Sequence, residues 1–260
     1  MTLWQAVILG LVQGLTEFLP VSSSGHLVVV EALTGVKTPG VFVEVALHVA
    51  TLGSVLVLYG RRLWDVLVDL ARGRPDGRRS AGLLVLGTIP AGVIGLAFHR
   101  AVEARFHSVA FVGAAFIVTG CVLWSTRRRA GTRHEPTAAG ALGVGVAQAI
   151  AILPGISRSG STVSAALWAG LAPADAAEFS FLLAVPVIAG AALLEARHMP
   201  VDVAAVGSVP LGVSFAVAFA SGIWSIRLLV AVLRRGRFYA FAPYCWTVGV
   251  LTLAYTLWRA

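Results

Sequence analysis

Leu153-Pro154-Gly155-Ile156-Ser157-Arg158-Ser159-Gly160-Ser161-Thr162 is a polar, glycine-flanked island set in apolar sequence. It reads as a phosphate cradle. Gly155 and Gly160 let the backbone turn its N–H groups toward an anion, Arg158 can grip phosphate oxygens bidentately, and Ser157, Ser159, Ser161 and Thr162 supply neutral donors. An apolar, helix-compatible run, 163–171, follows, so the island is expected at a helix N-terminus, where the macrodipole favours negative charge.

A second island lies near the N-terminus, from Gln13 through Glu17, Leu19-Pro20-Val21 and Ser22-Ser23-Ser24-Gly25 to His26. The two look like copies. Gln13 pairs with Gln148, and Ser22-Ser23-Ser24-Gly25 with Ser157-Arg158-Ser159-Gly160, at one common offset; Leu19-Pro20 matches Leu153-Pro154 with a slip of one residue. They have diverged in chemistry. Glu17 and His26 face Ile152 and Ser161 in the second copy, and Arg158 faces Ser23 in the first. One copy offers acid–base and metal-ligand groups, the other anion binding.

Composition sets the class. Hydrophobic residues make up 58% of the 260-residue chain and charged residues 12%, against about 25% charged in soluble domains, and mean hydropathy is +0.86. This is a polytopic membrane protein. The net charge of +8 does not indicate nucleic acid, because the basic residues cluster in short loops between apolar runs. Arg61, Arg62, Arg72, Arg74, Arg78 and Arg79 form one cluster, Arg127, Arg128, Arg129 and Arg133 a second, and Arg227, Arg234, Arg235 and Arg237 a third. That is the positive-inside pattern. The N-terminus has neither the basic region nor the cleavage site of a signal peptide. Cys121 and Cys245 stand singly in apolar runs and read as small core residues.

Six runs can cross a hydrocarbon layer of about 30 Å: residues 42–59, 81–98, 109–124, 179–194, 203–223 and 241–257. The two island regions, 3–33 and 138–171, are apolar but broken in the middle by Pro, Gly and Ser, the pattern of a re-entrant pair of short helices. With all three arginine clusters on the cytoplasmic side, each half holds one re-entrant segment and three spans. Three is odd, so the halves run in opposite directions, and the re-entrant tips meet near mid-membrane. The expected fold is an all-α inverted repeat in one membrane domain, residues 1–260, with halves of about 1–130 and 131–260.

Individual residues carry the chemistry. Gln13 and Glu17, four apart, share a helix face, and an ionisable group inside a membrane segment is costly enough to mark function. His26 follows Ser-Ser-Ser-Gly and suits proton transfer to a leaving oxygen or activation of a hydroxyl. Arg158 has no acidic neighbour in sequence and suits phosphate. Glu44 and His48 repeat the four-residue spacing on a span and either flank the site or pair structurally. Asp175 and Glu178 follow Pro173 and fit the first turn of a helix.

The first island, Gln13-x-x-x-Glu17 followed by Pro20 to His26, and the second, Pro154 to Thr162, resemble the two signature motifs of the undecaprenyl-pyrophosphate phosphatases, the bacitracin-resistance membrane proteins. The stretches from Phe42 to His48, around Ile89-Pro90 and from Glu178 to Pro186 are also similar, so the resemblance covers the whole chain. It implies hydrolysis of undecaprenyl diphosphate to the monophosphate carrier of peptidoglycan synthesis, at the outer face of a bacterial plasma membrane, with Mg²⁺ or Ca²⁺. It maps function onto Gln13, Glu17, Ser22, Ser23, His26 and Arg158. Gln13 and Glu17 would hold the metal, although Gln13 leaves only one carboxylate there. Ser22, Gly155, Ser157, Arg158, Ser159, Gly160 and Thr162 would bind the diphosphate, and Ser23 or a metal-bound water would attack it. A homodimer is carried as an open expectation. The alternative function is a secondary transporter or flippase for a phosphorylated polyprenyl lipid, since inverted repeats with broken helices also build transporters.

Overall fold

The computed structural model describes residues 1–34, 40–98, 105, 108–129, 131–195 and 206–259. Among these there is no β-strand, only an isolated bridge between Arg133 and Leu171. The helices are α1 (Leu3–Phe18), α2 (Ser23–Thr34), α3 (Gly40–Ala71), α4 (Pro75–Ala97), α5 (Val109–Ser125), α6 (Ala138–Ile150), α7 (Arg158–Trp168), α8 (Pro173–Glu195), α9 (Ser208–Arg234) and, after a 3₁₀ turn Phe238–Phe241, α10 (Ala242–Arg259). Among the described residues, five segments are long and apolar enough to cross a membrane: Val43–Ala71, Pro75–Ala97, Pro173–Leu193, Ser208–Arg234 and Phe238–Trp258.

These match five of the six expected runs. The sixth, 109–124, is helix α5, which at 17 residues is shorter than the other five. Several helices outrun their apolar cores. α3 continues past Tyr59 through Arg61, Arg62, Asp65 and Asp69, because the arginines, leucines and alanine of that stretch are good helix formers even though the stretch is not continuously apolar. α9 starts later than expected and runs through Arg227 to Arg234; residues 203–205 of that run lie outside the described residues.

Both island regions are helix, break, helix. α1 starts on a capping box between Thr2 and Gln5 and stops at Leu19, whose extended backbone is the conformation a following proline favours. α6 stops before Pro154, and α7 restarts on Ser157. Each pair returns to the end it came from. Arg133 bonds the backbone at Gly170 and Ala172, so the approach to α6 and the exit of α7 adjoin. The Met1 amino group donates to the Val206 carbonyl before α9, and the Tyr255 hydroxyl donates to the Ala32 carbonyl. α1 and α2 therefore both reach the end where α9 begins and α10 finishes.

The arginine clusters share the opposite end. Arg62 pairs with Glu178 at 3.0 Å, Arg79 pairs with Glu135 at 3.3 Å, Arg234 lies beside Tyr59, and Trp124 packs on Tyr239. Polarity is distributed as in a membrane bundle. Gln13, Glu17, Thr51, Ser54, Gln148 and Ser159 are buried, while large apolar side chains such as Val57, Val85, Leu96 and Leu251 face outward. Small residues let helices approach closely, the usual glue where lipid tails weaken any hydrophobic drive: Gly14 of α1 lies against Ala218 and Ser221 of α9, and Gly145 of α6 against Gly87 of α4.

Candidate active site

The two breaks are built alike. Ser22 accepts a hydrogen bond from the Gly25 amide at 3.3 Å, and Ser157 accepts one from the Gly160 amide at 3.0 Å, each serine capping the helix that follows. The carbonyls of Ser22 and Ser157 in turn accept from His26 and Ser161. Ser22 has φ +66°, the only positive φ of a non-glycine among the described residues, and Gly155 has φ +89°. A left-handed backbone thus sits at both tips, strained at Ser22 and unstrained at Gly155. The tips touch: a side chain on Gly25 would meet the Gly155 Cα at 2.9 Å, and one on Gly160 would meet the Pro20 Cβ at 3.3 Å.

Helix α7 begins at Arg158, ahead of the run 163–171, so Ser161 and Thr162 lie inside it, and Arg158 occupies the first helical position. Ser23 occupies the corresponding position of α2. These two residues, paired in the sequence comparison, converge on one carboxylate. The Ser23 hydroxyl donates to Oε2 of Glu17 at 2.7 Å, and Nη2 of Arg158 donates to Oε1. Gln13, on the same face of α1, donates its amide N–H to Oε2 at 2.9 Å. From α3, Nε2 of His48 lies 3.3 Å from the same oxygen. Its Nδ1 is 2.7 Å from the Glu44 carbonyl, which can only accept, so Nδ1 carries a proton.

Glu17 is buried and ringed by donors, with the Arg158 guanidinium and the His48 imidazole beside it. Such a buried carboxylate is tenable only because it is paired and hydrogen-bonded. The pairing leaves capacity over. Nη1 of Arg158 is buried with no hydrogen-bond partner among the described residues, as is Oε1 of Gln13. The amides of Arg158 and Ser159, in the first turn of α7, also have no acceptor there. Nη1 and the two amides are free donors of the kind that binds anions.

The remaining expected residues divide. Ser157 is spent as a cap, with its amide on Thr119 Oγ1 at 3.1 Å and its hydroxyl 3.3 Å from that of Ser159. Ser159 donates to the Leu19 carbonyl at 3.2 Å, tying the second tip to the first. Thr162 donates to the Arg158 carbonyl and meets Ser180, facing the core. Gly155 is fixed by Thr119, which bonds its carbonyl at 3.0 Å. His26 turns from Glu17: Nδ1 donates to the Ser22 carbonyl at 2.7 Å, and Nε2 is 2.7 Å from the Tyr244 hydroxyl, with the two rings stacked. Glu178 is paired with Arg62, away from the centre.

Two contacts lay beyond the sequence reading. Tyr244 comes from the last helix, and no motif marks it. His48 was singled out by its spacing from Glu44, but only packing brings it onto Glu17. A divalent cation needs oxygen donors, and the described residues hold no cluster of three or more His, Cys, Asp or Glu able to cage one. The oxygens on this face that could ligate one are those of Glu17, here taken by donors, and the unpartnered Oε1 of Gln13.

Fold and centre together define a polytopic membrane protein with a charged interior assembled from paired helix breaks. The family model described as Bacitracin resistance protein BacA matches residues 6–251. An undecaprenyl-diphosphatase of Desulfosudis oleivorans is 43% identical over 272 residues, covering 96% of this chain and 97% of that protein. One of Syntrophotalea carbinolica is 43% identical over 262 residues, covering 98% and 99%, and one of Rhodopirellula baltica 41% over 258, covering 97% and 98%. The chain belongs to the bacitracin resistance protein BacA family.

Proposed function

We infer that the protein hydrolyses undecaprenyl diphosphate to undecaprenyl phosphate and inorganic phosphate. Family membership and the names of its relatives support the reaction. Recycling of the carrier for peptidoglycan synthesis and resistance to bacitracin follow from it. Within the structure, the observation that carries it is the convergence of Ser23 and Arg158 on Glu17, with one guanidinium nitrogen still free.

The diphosphate enters the centre while its lipid tail lies between helices. Nη1 of Arg158 and the free amides of α7 bind oxygens of the terminal phosphate, stabilising charge where it grows in the transition state. Ser23 Oγ attacks that phosphorus. The Oγ–P bond forms, the bond from phosphorus to the bridging oxygen breaks, and undecaprenyl phosphate leaves. The serine proton passes to Oε2 of Glu17, already its hydrogen-bond acceptor. Water then attacks the phosphoserine, inorganic phosphate departs, and Ser23 recovers its proton from Glu17. His26, one turn along α2, is held by the Ser22 carbonyl at Nδ1 and shares a proton with the Tyr244 hydroxyl at Nε2, on the side of the tip away from Glu17. A divalent cation, when bound by Glu17 and Gln13, supplies further charge neutralisation on the diphosphate.

The same reading takes the chain as an inverted repeat in a bacterial plasma membrane, arginine clusters cytoplasmic and the site facing outward. The matching serine caps support it. So does the packing: α1 lies on α9 and α6 on α4, the second span of the other half in each case, and the third spans α5 and α10 pair with each other.

Purified protein in detergent, with no gradient, should release inorganic phosphate from undecaprenyl diphosphate. Ser23→Ala should slow this by roughly 10²-fold or more. Binding without phosphate release would leave the transporter alternative standing, and undiminished release by Ser23→Ala would assign the attack to water.

A further inference from the structure

A groove of about 550 Å³ opens between α3 and α9 at the arginine-bearing end. Leu58, Ile226 and Val230 give it apolar walls, and Arg227, Arg234 and Arg235 give it charge. We propose that this groove is a binding site for a phospholipid with an anionic headgroup, separate from the catalytic centre.

The arginines carry the argument. Arg234 and Arg235 stand at the end of α9, where the positive-inside rule accounts for them. It puts Arg227 on the same side but does not say why that residue stands inside the apolar segment. That residue lies seven positions earlier, about 10 Å back along the helix, within the segment Ser208–Arg234 that is apolar enough to span a membrane. A charge at such depth is costly and calls for a partner. Among the described residues none is supplied: Arg62, Arg74, Arg79 and Arg158 all pair with carboxylates, whereas Arg227, Arg234 and Arg235 have no ion pair there.

Helix geometry gathers the groups. Positions 227, 230, 231 and 234 are spaced i, i+3, i+4, i+7, so they form one stripe with a guanidinium at each end and Val230 and Ala231 between. Arg227 can extend along the helix toward the interface while its stem stays on apolar surface. A phosphodiester at the interface would meet Arg227 from below and Arg234 from above, with an acyl chain along Leu58, Ile226 and Val230. Basic pockets between membrane helices bind anionic lipids in this way. Apolar walls on a bilayer-facing groove favour a lipid over a soluble anion. The site is also set apart from the centre, because Tyr59 at its edge packs at a tilt on buried Phe181, which meets Phe18, the neighbour of Glu17, edge-on.

The test is native mass spectrometry of the full-length protein titrated with dioleoylphosphatidylglycerol or dioleoylphosphatidylcholine. The glycerol lipid should be retained in preference to the choline lipid, and Arg227→Ala/Arg234→Ala should reduce its retention by roughly tenfold or more. Phosphate release from undecaprenyl diphosphate in detergent should be unchanged in that variant, showing that it is folded. Val230→Trp, which fills the wall and spares the arginines, should also lower retention. Equal retention of the two lipids, undiminished retention by both variants, displacement of the lipid by millimolar inorganic phosphate, or a dimer that replaces lipid at the arginines would each overturn the proposal.

Discussion

Glu17 is one carboxylate with four neighbours drawn from four helices, and its environment explains why Arg158 is not exchangeable for another cation. The guanidinium donates one nitrogen to Glu17 and keeps another free, a division of labour that an ammonium, with its point charge, cannot reproduce. Arg158→Lys should therefore lower kcat/KM for undecaprenyl diphosphate by about 10²-fold or more, with little change in thermal stability in detergent. Near wild-type turnover would mean that Arg158 supplies charge alone. Tyr244→Phe removes the hydroxyl from Nε2 of His26 but keeps the stacked ring. The expected outcome is a loss of activity of several-fold to about 10²-fold, the range for general acid–base assistance, without unfolding; unchanged kinetics would reduce the contact to packing.

At the scale of elements, close helix contact depends on residues with no side chain to spare. Any side chain at Gly14 would overlap the Ala218 carbonyl and the Ser221 hydroxyl of α9. Gly14→Val should destabilise the protein by about 1–3 kcal/mol, the usual cost of overpacking, read as a lower unfolding temperature in detergent, whereas Gly212→Val, with open space around it, should be tolerated. The helices and their breaks were readable from sequence because Pro20, Pro154 and the serine-glycine islands interrupt apolar runs, and because Gln13 and Glu17 repeat at four. The allocation of hydroxyls was not. Ser159 and Thr162 differ from Ser23 only in which neighbour each finds, Leu19 and Ser180 against Glu17. Nor was the approach of His48 and Tyr244, since each arrives through packing between helices far apart in the chain. Helix ends were misplaced where polar but helix-favouring residues prolong α3 and α9.

Across the whole molecule, the arginine clusters mark one end and the chain start the other. Cysteines introduced singly at Arg72, Arg129 and Arg237, all exposed, should be labelled only from the cytoplasm, and one at Val209, at the opposite end and 66% exposed, only from outside. Labelling of any arginine position from outside would break the inverted arrangement. At the centre the halves meet in one ion pair, Glu17 from the first and Arg158 from the second. Groups that act as one unit give strongly non-additive losses when removed together. The decisive measurement is therefore kcat/KM for phosphate release from undecaprenyl diphosphate by Glu17→Gln, Arg158→Lys and the double variant. Each single change should cost about 10²-fold or more, and the double variant should be little slower than the slower single one. Losses that multiply would show two independent half-sites and contradict a catalytic centre shared between the two islands.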